Sequence, residues 1–286
     1  MIFDRTAILD WSAAKGPKRG KDSIWLAAAT AQGCTAQNIP TRAAAEAALA
    51  QLITDSLQQN QRLLIGADFA FGAPQGFIPH LTGQADALSW WHWLAQRITD
   101  TPGNLSNYRQ IAAQMNSAFP EGGPFWGNGE RSDTPGLPRL KPPLPPGLGT
   151  HRATDLAARA PGSAPKPVWQ LAGAGAGGAQ VLTGLPMLQR LRARFAPALS
   201  VWPFEAPTTP IVLAEVYPSL LADAVRQHVQ TTGMVPDEAQ VRLLATALHR
   251  LAPDSRARLF TLPHAVQEEG WILGAGHATL LQTALG

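Results

Sequence analysis

A single cysteine, Cys34, in 286 residues excludes a disulfide framework and any metal site built on thiolates. Lysine is scarce as well. Five lysines against eighteen arginines leave a formal net charge of only +3. That balance permits a nucleic-acid or nucleotide partner without announcing one. No apolar run approaches the roughly 20 residues of a membrane helix, so no membrane partner is expected. The opening Met1-Ile2-Phe3-Asp4-Arg5 lacks a basic stretch followed by an apolar one. It is not read as a signal peptide, and a cytoplasmic location is expected. The seven histidines show no HExxH and no paired spacing, which argues against zinc. No G-x-S-x-G is present either, which removes the usual hydrolase elbow. What the chain does have is apolar mass. Hydrophobic residues at 45% suffice for a substantial core and exclude disorder throughout.

The first 70 residues read as three strands, a helix and a strand. Thr6 to Trp11 and Ser23 to Ala29 are short apolar runs, and a third, weaker strand is read over Cys34 to Ile39 after the Gln32-Gly33 turn. A helix follows Pro40-Thr41, with Ala45, Ala48, Leu49, Leu52, Ile53 and Leu57 on one face. Arg62 to Ala67 is the next strand. A hairpin start followed by a crossover predicts an α/β fold with a mixed sheet. Residues 69–166 are rich in Gly and Pro and too long for a plain loop, so they read as an inserted lid or subdomain within one domain spanning 1–286. Within them, helices are expected over Ala85 to Thr99 and Ser106 to Ser117, and irregular chain over Arg131 to Gly149. Regular structure resumes with a basic helix from Pro186 to Phe195 and strands over Leu199 to Phe204 and Ile211 to Tyr217. Helices over Ser219 to Val229, Asp237 to Leu251 and Asp254 to Phe260 follow.

Four carboxylates sit where such a sheet would gather them. Asp10 and Asp68 end apolar runs, Glu215 lies inside one, and Asp237 opens an amphipathic helix. Each has an ordinary reading: Asp10 and Asp68 as turn residues, Asp237 as the cap of its own helix. Glu215 is harder to explain that way, because a strand interior gains nothing from a lone carboxylate. Together the four predict a divalent-metal centre, with Mg²⁺ or Mn²⁺ activating water and stabilising a leaving oxygen.

Lys15, Lys18, Arg19 and Lys21 crowd the segment after Asp10. The segment fails as a P-loop: three residues rather than four separate Gly16 from Gly20, and Asp22 stands where Ser or Thr is needed. It is either a solvated basic tip or a phosphate-gripping loop. Gly173, Gly175 and Gly178 satisfy G-x-G-x-x-G, with Val168 to Ala172 as the strand before it. Pro186 interrupts the helix, and Glu205 falls later than a dinucleotide fold places its acid. A tight loop lining a cleft, with backbone N–H groups open to phosphates, is the better reading. Trp90, Trp91 and Trp93 read as core packing ahead of a base-stacking platform.

The stretches Leu9-Asp10-Trp11-Ser12, Gly66-Ala67-Asp68-Phe69-Ala70-Phe71-Gly72 and Val201-Trp202-Pro203-Phe204-Glu205 carry a resemblance. So do Ala214-Glu215-Val216-Tyr217-Pro218-Ser219, Pro236-Asp237-Glu238-Ala239 and Glu269-Gly270-Trp271-Ile272. Together they resemble the domain of unknown function 429 family, which is similar to RNase H-like nucleases. The resemblance covers most of the chain outside the Pro-rich segment. It implies an RNase H-like mixed sheet with flanking helices, and Asp10, Asp68, Glu215 and Asp237 at the metal positions. The function it implies is a metal-dependent phosphodiester hydrolase acting on nucleic acid. A nucleotide-dependent phosphotransferase, a nucleotide-cofactor protein of the molybdopterin-dinucleotide type and a non-catalytic binding module stay open beside it.

Overall fold

The computed structural model describes residues 2–159, 164–264 and 266–286. Strand β1 (Arg5–Asp10) pairs antiparallel with β2 (Ile24–Thr30), which pairs antiparallel with β3 (Gly33–Ile39). Along β3 residues alternate between exposed and half-buried, as befits a strand at the sheet edge. Helix α1 (Arg42–Gln58) starts where Thr41 accepts the Ala44 N–H on its hydroxyl, 3.2 Å away. Its crossover brings β4 (Leu63–Ala67) parallel to β1, with Gly66 opposite Ile8. Every residue of β4 is buried, the mark of a central parallel strand covered on both faces.

Short helices then follow one another: α2 (Phe77–Thr82), α3 (Ala87–Ala95), α4 (Tyr108–Asn116) and α5 (Ala153–Ala157). The long α6 (Gly178–Phe195) leads into β5 (Leu199–Trp202) and β6 (Ile211–Glu215). Pro218–Leu221 makes a 3₁₀ turn ahead of α7 (Ala222–Thr232), α8 (Pro236–Arg250), α9 (Pro253–Leu259) and α10 (Ala278–Thr283). The six-stranded sheet runs β3-β2-β1-β4-β6-β5, with the last four strands parallel. The fold is thus α/β: a mixed sheet with helices on both faces.

Alternation along the strands divides the core. Ala7, Leu9, Ile65 and Leu213 face α1, α6 and residues from the 69–166 stretch, among them Phe71, Phe77, Trp90 and Trp91. Ile8, Leu64, Val212 and Ala214 face the other way, onto α8 and the chain after it. Trp90 and Trp91 are fully buried, as the core-packing reading expects. Two glutamates late in the chain tie down that stretch. Glu268 accepts the N–H groups of Gly76 and Ile78, at 3.0 and 2.9 Å, at the start of α2. Glu269 accepts those of Gln75 and Ala153, at 3.2 and 2.8 Å.

Three local expectations change. Helix α6 begins at Gly178, ahead of Pro186, which sits inside it. The proline removes one backbone bond, but every residue from Val181 to Leu188 is buried, and packing outweighs the loss. Val168 to Ala172 forms a turn with one bridge, Gln170 to Trp126, rather than a strand. Glu215 is the last residue of β6, not an interior one.

Candidate active site

Strands β1 and β4 are neighbours and parallel, so their C-terminal ends deliver Asp10 and Asp68 side by side. The register pairs Leu9 with Ala67, and the Asp68 N–H donates to the Leu9 carbonyl at 3.2 Å. Ligands of parallel sheets gather at this end of the strands. Trp11 locks the corner: its backbone N–H donates to Asp68 Oδ1 at 2.9 Å and its indole N–H to Thr183 Oγ1 on α6 at 3.1 Å.

Asp10 and Asp68 line one cleft at the ends of these neighbouring strands, close enough for each to act on the other's proton affinity. Burial, then the charge of Asp68, pushes Asp10 well above the usual carboxylate range. Burial lifts Asp68 to about 6, although Asp10 and the hydrogen bond from the Trp11 N–H pull the other way. Among the described residues, neither carboxyl has a Lys, Arg or His at ion-pair distance. This is a negative pair without a cation.

Asp237, in the first turn of α8, accepts the Asp22 backbone N–H at 2.6 Å. Burial raises its carboxyl, and that hydrogen bond lowers it. Its charge reaches both members of the pair and pushes them up, as that of Asp22 does for Asp10. Asp22 adopts φ 54°, a left-handed turn position that the sequence reading did not single out.

Glu215 enters the same cleft in another state. Arg152 lies beside it, donating from Nη1 to Oε2 at 2.7 Å and from Nη2 to Oε1 at 2.5 Å. Arg152 also holds Asp155, through Nη2 to Oδ1 at 2.7 Å, and donates to the Glu269 carbonyl at 3.0 Å. All three side chains are buried. Burial pushes the Glu215 carboxyl up, and the guanidinium works against it. Glu215 therefore meets a cation already supplied by the chain.

The cleft has a volume of about 190 Å³ and is lined by Asp10, Asp68, Arg152, Lys166, Glu215 and Tyr217, among others. The start of α6 closes one side through Gly177 and Gln180. Gly173 and Gly175 take φ 93° and 77°, so the glycine-rich segment is a tight loop leading to that helix. Lys15, Lys18, Arg19 and Lys21 are exposed and do not line the cleft. Lys18 and Lys21 act electrostatically on Asp237, and Arg19 donates to the Asn38 carbonyl at 2.5 Å. Glu205 pairs with Arg192 and accepts the Val201 N–H.

The structure thus brings Asp10 and Asp68 side by side in one cleft, sets Asp237 within reach of their charge, and gives Glu215 to Arg152. Among the described residues no three His, Cys, Asp or Glu side chains converge as a ready metal cage. Arg152, Asp155 and Lys166 were not singled out from sequence. Arg152 and Asp155 sit at the start of the five-residue α5 and Lys166 in the coil before α6, too little regular chain for periodicity to mark a position as inward. Comparison with protein-family models, curated proteins and solved structures found no match.

Proposed function

We propose that this cleft cleaves a phosphate ester with the help of a divalent cation, Mg²⁺ or Mn²⁺, held by Asp10 and Asp68. The observation that carries the reading is the placement of two carboxyls at adjoining strand ends in one cleft, with no cation among the described residues at ion-pair distance from either. The donor set fits the ion. Mg²⁺ is commonly held by one or two carboxylates, with waters and substrate phosphate oxygens completing its shell, rather than by a closed protein cage. When bound, such a cation activates water and stabilises a leaving oxygen.

The chain's own residues supply the rest. Asp10 and Asp68 orient the cation, and the Trp11 N–H fixes the Asp68 carboxylate. Asp237 adds negative potential and steadies the basic loop through Asp22. Lys15, Lys18, Arg19 and Lys21 draw phosphates toward the acid pair, and Lys166 meets them at the cleft wall. Glu215, neutralised by Arg152, builds the wall. An antiparallel hairpin half joined through β1 to a parallel half, with its acids at the strand ends, supports the RNase H-like reading of the sheet and a nuclease as the leading activity. Residues 69–166 serve as the insertion that walls the cleft.

One observation favours a second reading. At about 190 Å³ the cleft is smaller than a typical ligand pocket, so it suits one phosphoester group of a small nucleotide as well as a polymer. A nucleotide-dependent phosphotransferase or nucleotide-cofactor protein then shares the same cation site, and a nucleotide-binding module shares the cleft alone.

The test is calorimetric titration of Mn²⁺ and Mg²⁺ into wild type and Asp10→Asn, followed by cleavage screens on mixed RNA, DNA and nucleotides. Cation binding lost in Asp10→Asn, with cleavage of nucleic acid by wild type only, is the expected result. Turnover of nucleotides but not polymers selects the second reading. No cation binding, with or without nucleotide or nucleic acid, refutes the site.

A further inference from the structure

Residues 12–22 run from the acid pair into the basic loop, and their course is held from outside the sheet. Arg42 is the first residue of α1 and only 3% exposed. A cation at that end opposes the helix dipole, and a buried guanidinium needs its donors met. All five of its side-chain N–H groups find acceptors. Nη1 donates to the carbonyls of Ser12 and Ala14, at 3.3 and 2.9 Å. Nη2 donates to Asp100 Oδ1 and to the Asn104 carbonyl, both at 2.8 Å, and Nε donates to the other Asp100 oxygen.

Asn104, equally buried, closes the clamp with its amide. Oδ1 accepts the Arg42 backbone N–H at 2.8 Å, and Nδ2 donates to the Gly16 carbonyl at 3.2 Å. Its φ of 69° places it in a left-handed turn that asparagine tolerates. Alternate carbonyls of the segment, at Ser12, Ala14 and Gly16, are thus gripped by one buried pair. At the far end, Gly20 donates to Asn38 Oδ1 at 2.7 Å and Asp22 to Asp237. At the near end, Trp11 stands between Asp10 and Ser12 and holds Asp68.

We infer that Arg42 and Asn104 are positioning residues that hold residues 12–22, and with them the acid pair, in the arrangement that accepts a cation and a phosphate. What is bound rests on the function proposed above; what is held does not. Asp100 and Asn104 belong to the 69–166 stretch, so that stretch acts on the site through the loop as well as through the cleft wall.

Two variants test this, chosen because Arg42→Ala would leave half-buried Asp100 and the carbonyls of Ser12, Ala14 and Asn104 without their donor and endanger folding. Asn104→Asp keeps the acceptor for the Arg42 N–H and removes the donor to Gly16. Asn104→Gly keeps the left-handed backbone and removes both. Each is compared with wild type by thermal melting, by hydrogen exchange read by mass spectrometry, and by Mn²⁺ calorimetry. In Asn104→Asp, exchange in residues 12–22 is expected to quicken while α1 and the strands stay protected, and Mn²⁺ affinity to fall about ten- to a hundredfold, as for losses of outer-shell support. Asn104→Gly is expected to loosen the first turn of α1 as well. Unchanged exchange in residues 12–22 overturns the proposal, and so does a loosened loop with undiminished Mn²⁺ affinity. If wild type takes up no Mn²⁺, the cation reading falls, and the exchange result alone decides whether the clamp holds the loop.

Discussion

Replacing Asp68 by asparagine should make the cation-free protein more stable at neutral pH. The carbonyl of the introduced amide still accepts the Trp11 N–H, so the hydrogen bond that locks the corner survives. What disappears is a carboxyl whose value rises from 3.8 to about 6 in the fold. A rise of that size opposes folding by about 3 kcal/mol once the group is ionised. Asp68 is only half-buried at the cleft edge, so solvent screening reduces the figure, and a gain of about 1–3 kcal/mol is expected. For a chain of this length that is about 2–5 °C in Tm. The sign follows from the direction of the shift. A carboxyl raised in the fold favours the native state below its unfolded value and loses that contribution as pH rises through about 6. The advantage of Asp68→Asn should therefore be complete above about pH 6 and vanish near pH 4. Thermal melts in a chelator from pH 4 to 8 measure it. A variant less stable than wild type at pH 7, or a gain that is the same at pH 4, refutes the reasoning. Adding Mn²⁺ should invert the order, stabilising wild type and leaving the Asp68→Asn protein unmoved.

Arg152→Met leaves Asp155 and Glu215 buried without their partner and should cost about 3–5 kcal/mol, read from urea midpoints. A loss below about 1 kcal/mol would mean the trio does not anchor the cleft wall. Gly184→Ala places a Cβ 2.4 Å from the Phe69 ring, which follows Asp68 directly. Overpacking of about 1–3 kcal/mol is expected in the same assay, with weakened Mn²⁺ binding beside it. Thr41→Ala removes the cap of α1 and should cost about 1 kcal/mol while leaving Mn²⁺ affinity unchanged.

Most of the sheet was legible because its strands, the edge strand β3 apart, are short apolar runs bounded by turn residues, and Asp10 and Asp68 stood out as the polar residues ending two of them. Sequence placed Glu215 in the same cleft. It could not reveal that Arg152, in a stretch without periodicity, would neutralise it, because that pairing spans 63 residues and depends on α5. Helix α6 was read short for a local reason: proline and glycine argue against helix, and only tertiary burial reverses them. One signal was present and unread. Arg42 is a cation at the N-terminal end of a helix, where the dipole disfavours it, and such a residue is explained by partners elsewhere. Asn104 gave no such signal, since an asparagine in a polar turn has a local explanation already.

The two glutamates that hold α2 and α5 come at positions 268 and 269, 192 residues after Gly76, one of the backbone groups they cap. During synthesis, β1 and β4 leave the ribosome early, and the acid pair can meet long before its surroundings exist. The wall formed by Arg152 and Glu215 is secured only when Glu269 arrives, well after Glu215 itself. At about 5–20 residues per second that interval lasts several seconds. A chain stopped short of Glu268 would lack the acceptors of the Gln75, Gly76, Ile78 and Ala153 N–H groups, so the enclosure of the acidic corner is completed last.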